Sequence, residues 1–356
     1  MASLSHVLGE YSPESPAYEF ARNTAADVIA QLRTAQQLCE MGASVDVHVD
    51  CGYECSQVLE HQQITCSSSN NLNIMYHEAI ADSGAPVTAT HRARFGDNAD
   101  NYDLFLYTED DILLSAVQVM SYFRHSQRLH AQGLSDEYEI GFFRQEINLT
   151  SPTLDMVVWE ETTVGPEALD VVLLPPPSAK SGHAPRWYVI NNRQTHQACW
   201  MALQHKILRI RDERPQFFNS SATALLNIET QASEVFWVLH WKKIIPLVNY
   251  PDFGIRHLGN LQSFEVDWRG KTTRPVQHVY SELLQLRAQK AQSFHELESS
   301  RSYGINVNRH DRLDRLALST ADPVRCSRCA VVSRIDRLAR STASPLLTLL
   351  YRGGHD

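Results

Sequence analysis

An α/β fold with a mostly parallel sheet and helices on both faces is predicted by three features of the chain. A helical pattern near residue 30 gives way at once to an alternating strand. An apolar, aromatic run from Tyr102 to Tyr107 ends in three consecutive carboxylates, Glu109, Asp110 and Asp111. A second helical pattern opens directly after those acids. Strand, helix and strand following one another within about fifty residues is how a fold with parallel strands begins.

Taken in order, residues 6–11 suit a short first strand and 12–18 a Ser/Pro/Glu-rich loop. From about Asn23 to Met41, Val28, Ile29, Leu32, Ala35 and Cys39 fall on one helical face, and Gly42 stands where a C-terminal cap belongs. Val45, Val47 and Val49 alternate with Asp46, His48 and Asp50, which is strand periodicity. Further extended segments are predicted at Asn73–Tyr76, Pro86–Thr90, Glu139–Gln145, Met156–Glu160 and Trp187–Ile190. Helices are predicted over 112–131, 194–210 and 276–300, the last of these closing the body of the protein. Beyond it, Arg312–Pro323 recurs as Arg334–Pro345 with nine of twelve positions matching at a period of 22. Two copies are too few for a solenoid. The expected organisation is a catalytic domain over 1–300 and a weakly structured, Arg-rich duplicated tail over 301–356.

The acidic triplet is the most informative motif. Adjacent carboxylates repel, and burying one without a partner costs several kcal/mol. A divalent cation relieves that cost, and the carboxyl ends of strands in open α/β sheets are where ligands sit. A hard metal ion holding a phosphate-bearing substrate explains the cluster. A solvated loop whose acids favour the next helix N-terminus explains it too.

Five other clusters carry candidate chemistry. His91, Arg92 and Arg94 precede the acidic strand, where Arg forks can neutralise a pyrophosphate or simply charge the surface. Arg144 and Glu146 end an apolar strand, as a phosphate contact with a general base or as a salt-bridged strand end. Glu160 and Glu161 follow another apolar run, and either has the chemistry of a base acting on an acceptor hydroxyl. His196 and Gln197 lead into an apolar segment that a ligand or a helix cap can use. His257, in a Gly-containing loop, has the imidazole that manganese or another transition ion accepts.

Composition sets the outer limits. A net charge of -9 argues against a generic nucleic-acid binder, whose footprint is basic. The charge is uneven, since ten Arg, no Lys and five Asp make residues 301–356 +5 and leave -14 for the rest. Seven cysteines, at 39, 51, 55, 66, 199, 326 and 329, are odd in number and scattered, which does not describe a disulfide framework. Cys326 and Cys329 form a C-x-x-C without a second pair at zinc-ribbon spacing. No stretch approaches the ~18 apolar residues of a membrane span, and Met1–His6 has neither a basic nor an apolar leader region, so the chain reads as soluble.

Together these segments resemble a eukaryotic family of nucleotide-sugar glycosyltransferases with the GT-A fold, which is Rossmann-like. The resemblance rests on Tyr107-Thr108-Glu109-Asp110-Asp111-Ile112, on Gly141–Glu146, on His196–Met201 and on Ile245-Pro246 followed by His257-Leu258, in that order. It implies transfer of a sugar from a nucleoside diphosphate donor to a hydroxyl acceptor on a glycan or glycoprotein, with Mn²⁺ or Mg²⁺ as cofactor. Glu109-Asp110-Asp111 is then the counterpart of the D-x-D signature. Asp111, Asp110 and His257 belong to the metal, while Glu109, Asp110, Arg92, Arg94 and His196 belong to the donor. Glu146, Glu160 or Glu161 is the base if the enzyme inverts, Glu146 foremost. The family is usually anchored in the Golgi by an N-terminal membrane helix, and this sequence shows none. A metal-dependent phosphohydrolase and an inactive GT-A-like scaffold that binds a glycan or protein are the alternatives.

Overall fold

Residue 42 shows how closely local chemistry sets this fold. The helix α1 (Pro16–Glu40) ends there, because Gly42 takes φ +107°. Its N–H donates to the Cys39 carbonyl and that of Ala43 to the Leu38 carbonyl, closing a Schellman cap. The chain turns straight into β1 (Ser44–Cys51), whose Val45, Val47 and Val49 are buried under α1 while Asp46 and His48 lie half-exposed on the other face. The computed structural model describes residues 16–51, 64–67, 70–78, 90–110, 112–147, 156–160, 169–175, 185–191, 199–219, 240–258, 272–302 and 346–352.

After β1 come β2 (Leu72–Glu78), α2 (Thr90–Asp97), β3 (Leu104–Glu109), the two-residue β4 (Ile112–Leu113) and α3 (Ala116–Ala131). Next are β5 (Tyr138–Ile140), β6 (Phe143–Ile147), β7 (Met156–Glu160), β8 (Leu169–Leu174) and β9 (Arg186–Asn191). Then follow β10 (Cys199–Leu203), α4 (Gln204–Glu213), β11 (Lys242–Pro246), β12 (Gly254–His257), β13 (Thr272–Pro275), α5 (Val276–Ser302) and β14 (Leu346–Arg352). Short 3-10 turns occupy Pro215–Phe218 and Leu247–Phe253. The chain divides into one unit of residues 1–283 with 343–356 and another of 284–342, whose described part is the remainder of α5.

The fold is mixed α/β, with its strands in three sheets ordered β10-β3-β14-β1-β2, β5-β11-β9-β8 and β13-β7-β6-β12-β4. The mostly parallel sheet expected from the sequence gives way to a mixed pattern. Among the described residues, β1–β2, β5–β11 and β6–β12 pair in parallel, and the other eight pairings are antiparallel. The physical reason is clearest in the first sheet. There β1 and β3 run in the same direction, but β14 lies between them and pairs antiparallel with both. A strand from the expected tail thus occupies the middle of the sheet.

Three element boundaries also differ. Thr90, expected as the end of an extended segment, opens the helix α2. The helix predicted from 112 starts at 116, because Ser115 caps it reciprocally with Gln118 and Ile112–Leu113 is taken up as β4. In the described part of the helix predicted over 194–210, Cys199–Leu203 is a strand and the helix starts only at Gln204, since Cys199–Leu203 is buried on both faces against β3. The predicted strand at 6–11 and the repeat at 312–345 lie outside the described residues.

The core under β3 and β10 is aromatic: Phe95, Phe105, Tyr107, Trp200, Phe217 and Trp241 pack with Ile207 and Ile210. A buried ion pair, Lys206 with Glu139, stands beside it. Tyr122 donates to Glu139 at 2.9 Å, Lys206 donates to the Tyr138 carbonyl at 3.0 Å, and the ammonium lies 4.1 Å from the Trp241 ring. Those added bonds are what make a buried pair tolerable. No helix among the described residues is long and apolar enough to cross a membrane.

Candidate functional site

The acidic turn is built from β3 outward and gripped from α1. Burial runs unbroken from Leu104 to Thr108, and the strand releases Glu109 at its carboxyl end and Asp110 into a turn where it remains 7% exposed. Gln31, on the buried face of α1, donates through Nε2 to the carbonyls of Glu109 (2.7 Å), Asp110 (2.9 Å) and Ile112 (2.8 Å). An amide nitrogen has two hydrogens, so at least one is shared between two of the three oxygens. Thr34, one turn on, donates to the Leu114 carbonyl at 2.7 Å. The helix thereby fixes the backbone on both sides of Asp111, which itself lies outside the described residues.

Strand pairing brings the distant motif to this turn. Ile112, one residue along the chain from Asp111, faces His257 across β4–β12, and Ile255 faces Arg144 across β12–β6. His257 and Arg144 are both buried, and Arg144 Nη2 lies 2.7 Å from His257 Nε2. A guanidinium can only donate, so Nε2 accepts and the ring proton sits on Nδ1. Nε2 of His257 is therefore engaged by Arg144. Gln118 also holds the start of β12, donating to the carbonyls of Asp252 (3.1 Å) and Gly254 (2.6 Å). Gly254 itself is required, since a Cβ there falls 1.7 Å from the Gln145 amide.

The basic cluster on α2 does not serve as a free phosphate clamp. Arg92 is fully buried with its guanidinium 4.4 Å above the Phe217 ring. Arg94 grips both oxygens of Asp50, which also accepts from Thr90 at 2.9 Å. His91 stacks on Tyr107 at 4.0 Å and accepts the Trp200 indole N–H at 3.2 Å. An eight-residue helix packed on an aromatic core has to turn these side chains inward. Asp50 and Glu109 nevertheless share one row of the sheet, each opposite Leu346. Beside that row His48 and His77 stack with their nitrogens 2.9 Å apart, and burial, helped by Arg94, lowers the His48 pKa to about 4.

Of the candidate bases, Glu146 is in β6 opposite Val157 and Glu160 is in β7 opposite Thr272. Glu161, His196 and Gln197 lie outside the described residues. Among the described residues no three His, Cys, Asp or Glu side chains assemble as a metal-ligand set.

One further residue at the site escaped the motif-based reading. Lys243 in β11 is 1% exposed, and its ammonium makes no hydrogen bond or ion pair among the described residues. Burial lowers its pKa to about 7, and its electrostatic neighbour is Cys199, which in turn senses Glu109. Gly141 makes room for it, since a Cβ there would meet the Lys243 stem at 2.5 Å. The signal was a lysine sharing the inward parity of Ile245 in a short apolar strand. The disulfide Cys39–Cys66, which ties the end of α1 to the segment before β2, was not anticipated either.

No protein-family model, no curated protein and no solved structure matches this chain.

Proposed function

We propose that the protein is a metal-dependent glycosyltransferase of GT-A-like architecture, moving a sugar from a nucleoside diphosphate sugar to a hydroxyl acceptor on a glycan or glycoprotein. The observation that carries this reading is the β4–β12 register, which sets His257 and its partner Arg144 beside the acidic turn. Carboxylates with one imidazole are a donor set suited to Mn²⁺ and acceptable to Mg²⁺. The turn that bears them is held by Gln31 before any ligand arrives.

In this reading Asp110, Asp111 and His257 hold the ion, with His257 exchanging Arg144 for it. Held there, the ion would supply Lewis-acid neutralisation of charge on the leaving diphosphate. Arg144, once displaced, and Lys243 supply further positive charge next to the phosphates. Glu109 orients the donor, and Glu146, ahead of Glu160 and Glu161, takes the acceptor proton. Arg92 and Arg94 have no part in it, because Phe217 and Asp50 already occupy them. The Cys39–Cys66 disulfide agrees with maturation in an oxidising compartment such as the secretory pathway.

The test is a thermal-shift and donor-hydrolysis screen of UDP-, GDP- and CMP-sugars with and without Mn²⁺, comparing the natural chain with Asp111→Ala. Manganese-dependent stabilisation by one donor, lost in the variant, is expected. Hydrolysis of plain nucleotides with no preference for sugar donors would move the assignment to a phosphohydrolase. A folded protein that ignores every donor would leave a binding scaffold.

A further inference from the structure

The face of the first sheet turned away from α1 carries a pair of histidines that the proposed transferase chemistry leaves unused. Parallel pairing sets Asp46 beside Asn73, His48 beside Met75 and Asp50 beside His77. Alternation along both strands keeps these six residues on that one face. Contact agrees with the register, since Asn73 donates to the Asp46 carboxylate at 2.7 Å. His48, Met75 and His77 are each half-buried, within reach of an ion from solvent.

The two imidazoles confront each other. His48 Nδ1 lies 2.9 Å from His77 Nε2, with the ring planes 14° apart and the centroids 5.1 Å apart. One of these nitrogens donates and the other accepts, so the accepting ring is neutral and aims its lone pair at its neighbour. Burial, helped by Arg94, keeps His48 uncharged at neutral pH. Moving the shared proton to the outer nitrogen of its own ring leaves two lone pairs facing one gap, with no net proton released. Metal–nitrogen bonds of about 2 Å require that gap to widen by about 1 Å for an ion held in line. The strand β2 can yield by that much, because it stands at the end of its sheet among the described residues.

The neighbouring groups select the ion. Asp46 is held by Tyr102 and Asn73, and Asp50 by Arg94 and Thr90, so the hard oxygen donors of this face are already engaged. Their charge is still felt at His48, where both carboxylates favour a positive charge. The two inner imidazole nitrogens and the thioether of Met75 are the softer donors of the same face. Thioethers select cuprous copper, and imidazole accepts copper as well as zinc. We infer that His48, His77 and Met75 bind one cuprous ion, with the imidazoles in line and the thioether to the side. The site shares no residue with the acidic turn or with His257, so its test is independent of the transferase assignment.

The full chain, its thiols alkylated so that cysteine does not compete, would be titrated anaerobically with Cu⁺ against a chromophoric chelator. Because Cu⁺ is diamagnetic, the His48 and His77 ring signals and the Met75 methyl signal can be followed by NMR in the same titration. One equivalent is expected, with the three signals moving together. His77→Phe and His48→Phe should each remove that equivalent. Met75→Leu, which keeps the volume, should weaken Cu⁺ binding about tenfold or more and leave Zn²⁺ binding unchanged. Asp111→Ala should bind copper as the natural chain does. Ring signals unmoved by stoichiometric Cu⁺, or natural affinity in both folded histidine variants, would overturn the site. Loss of copper in Asp111→Ala would overturn it too, by placing the ion at the acidic turn. Tighter binding of Zn²⁺ than of Cu⁺, or natural Cu⁺ affinity in Met75→Leu, would overturn the copper assignment.

Discussion

Gln31 gives one nitrogen to three carbonyl oxygens, and the acidic turn depends on it. Gln31→Leu keeps the volume but leaves those acceptors buried without a donor. A loss of about 1–3 kcal/mol in urea unfolding is expected, with a weaker manganese response in the same variant. Lys243 presents the opposite balance. Its pKa falls from 10.5 in the unfolded chain to about 7 in the fold, so the unfolded state binds more protons between those values. Stability therefore rises with pH from 7 toward 10.5 and the full penalty is felt below 7. Lys243→Met should raise stability at pH 7 by about 2–4 kcal/mol and flatten that slope, read from denaturant melts at pH 7, 8 and 9. Neither residue was legible as functional in the sequence. A glutamine on an apolar helical face and a lysine in a strand announce burial only when the packing partners are known. Arg92 and Arg94 illustrate the converse, since their spacing suggested a clamp while Phe217 and Asp50, far away in sequence, had already engaged them.

Among the elements, α1, β1 and α3 were readable because each buries one face and exposes the other, which imprints a period on the sequence. The strand β10 left no such imprint. Its five residues are all buried, and a continuous apolar run fits a helix as well as a two-sided strand. The proximity of His257 to the acids was likewise hidden, because alternation identifies strands without naming their partners. The Cys39–Cys66 bridge adds a constraint that spacing did not disclose, tying α1 to the entry of β2 across 27 residues. Closing a loop of that length is worth about 3–4 kcal/mol in chain entropy. Cys66→Ser should lower the urea midpoint accordingly, and reduction should destabilise the natural chain but not the variant.

At the scale of the molecule, β14 decides whether the first sheet exists. It pairs along Ser44–Asp50 on one side and Leu104–Glu109 on the other. A chain ending at Ser302 keeps every other described strand yet exposes two unpaired edges, which are templates for aggregation. That variant is expected to be insoluble or to lose cooperative melting by circular dichroism. A synthetic peptide of residues 343–356 should restore the transition in trans, as strand addition does elsewhere. Solubility and a sharp melt without the peptide would show the strand to be dispensable. The same arrangement has a consequence for biosynthesis. The ribosome delivers β1, β2 and β3 long before β14. Through that interval the nascent protein holds an open slot shaped for a Leu-rich strand. In a crowded cell, the first such strand to reach the slot can come from a neighbouring copy, so correct assembly becomes a race that slower translation or higher expression would tilt toward strand-exchanged pairs.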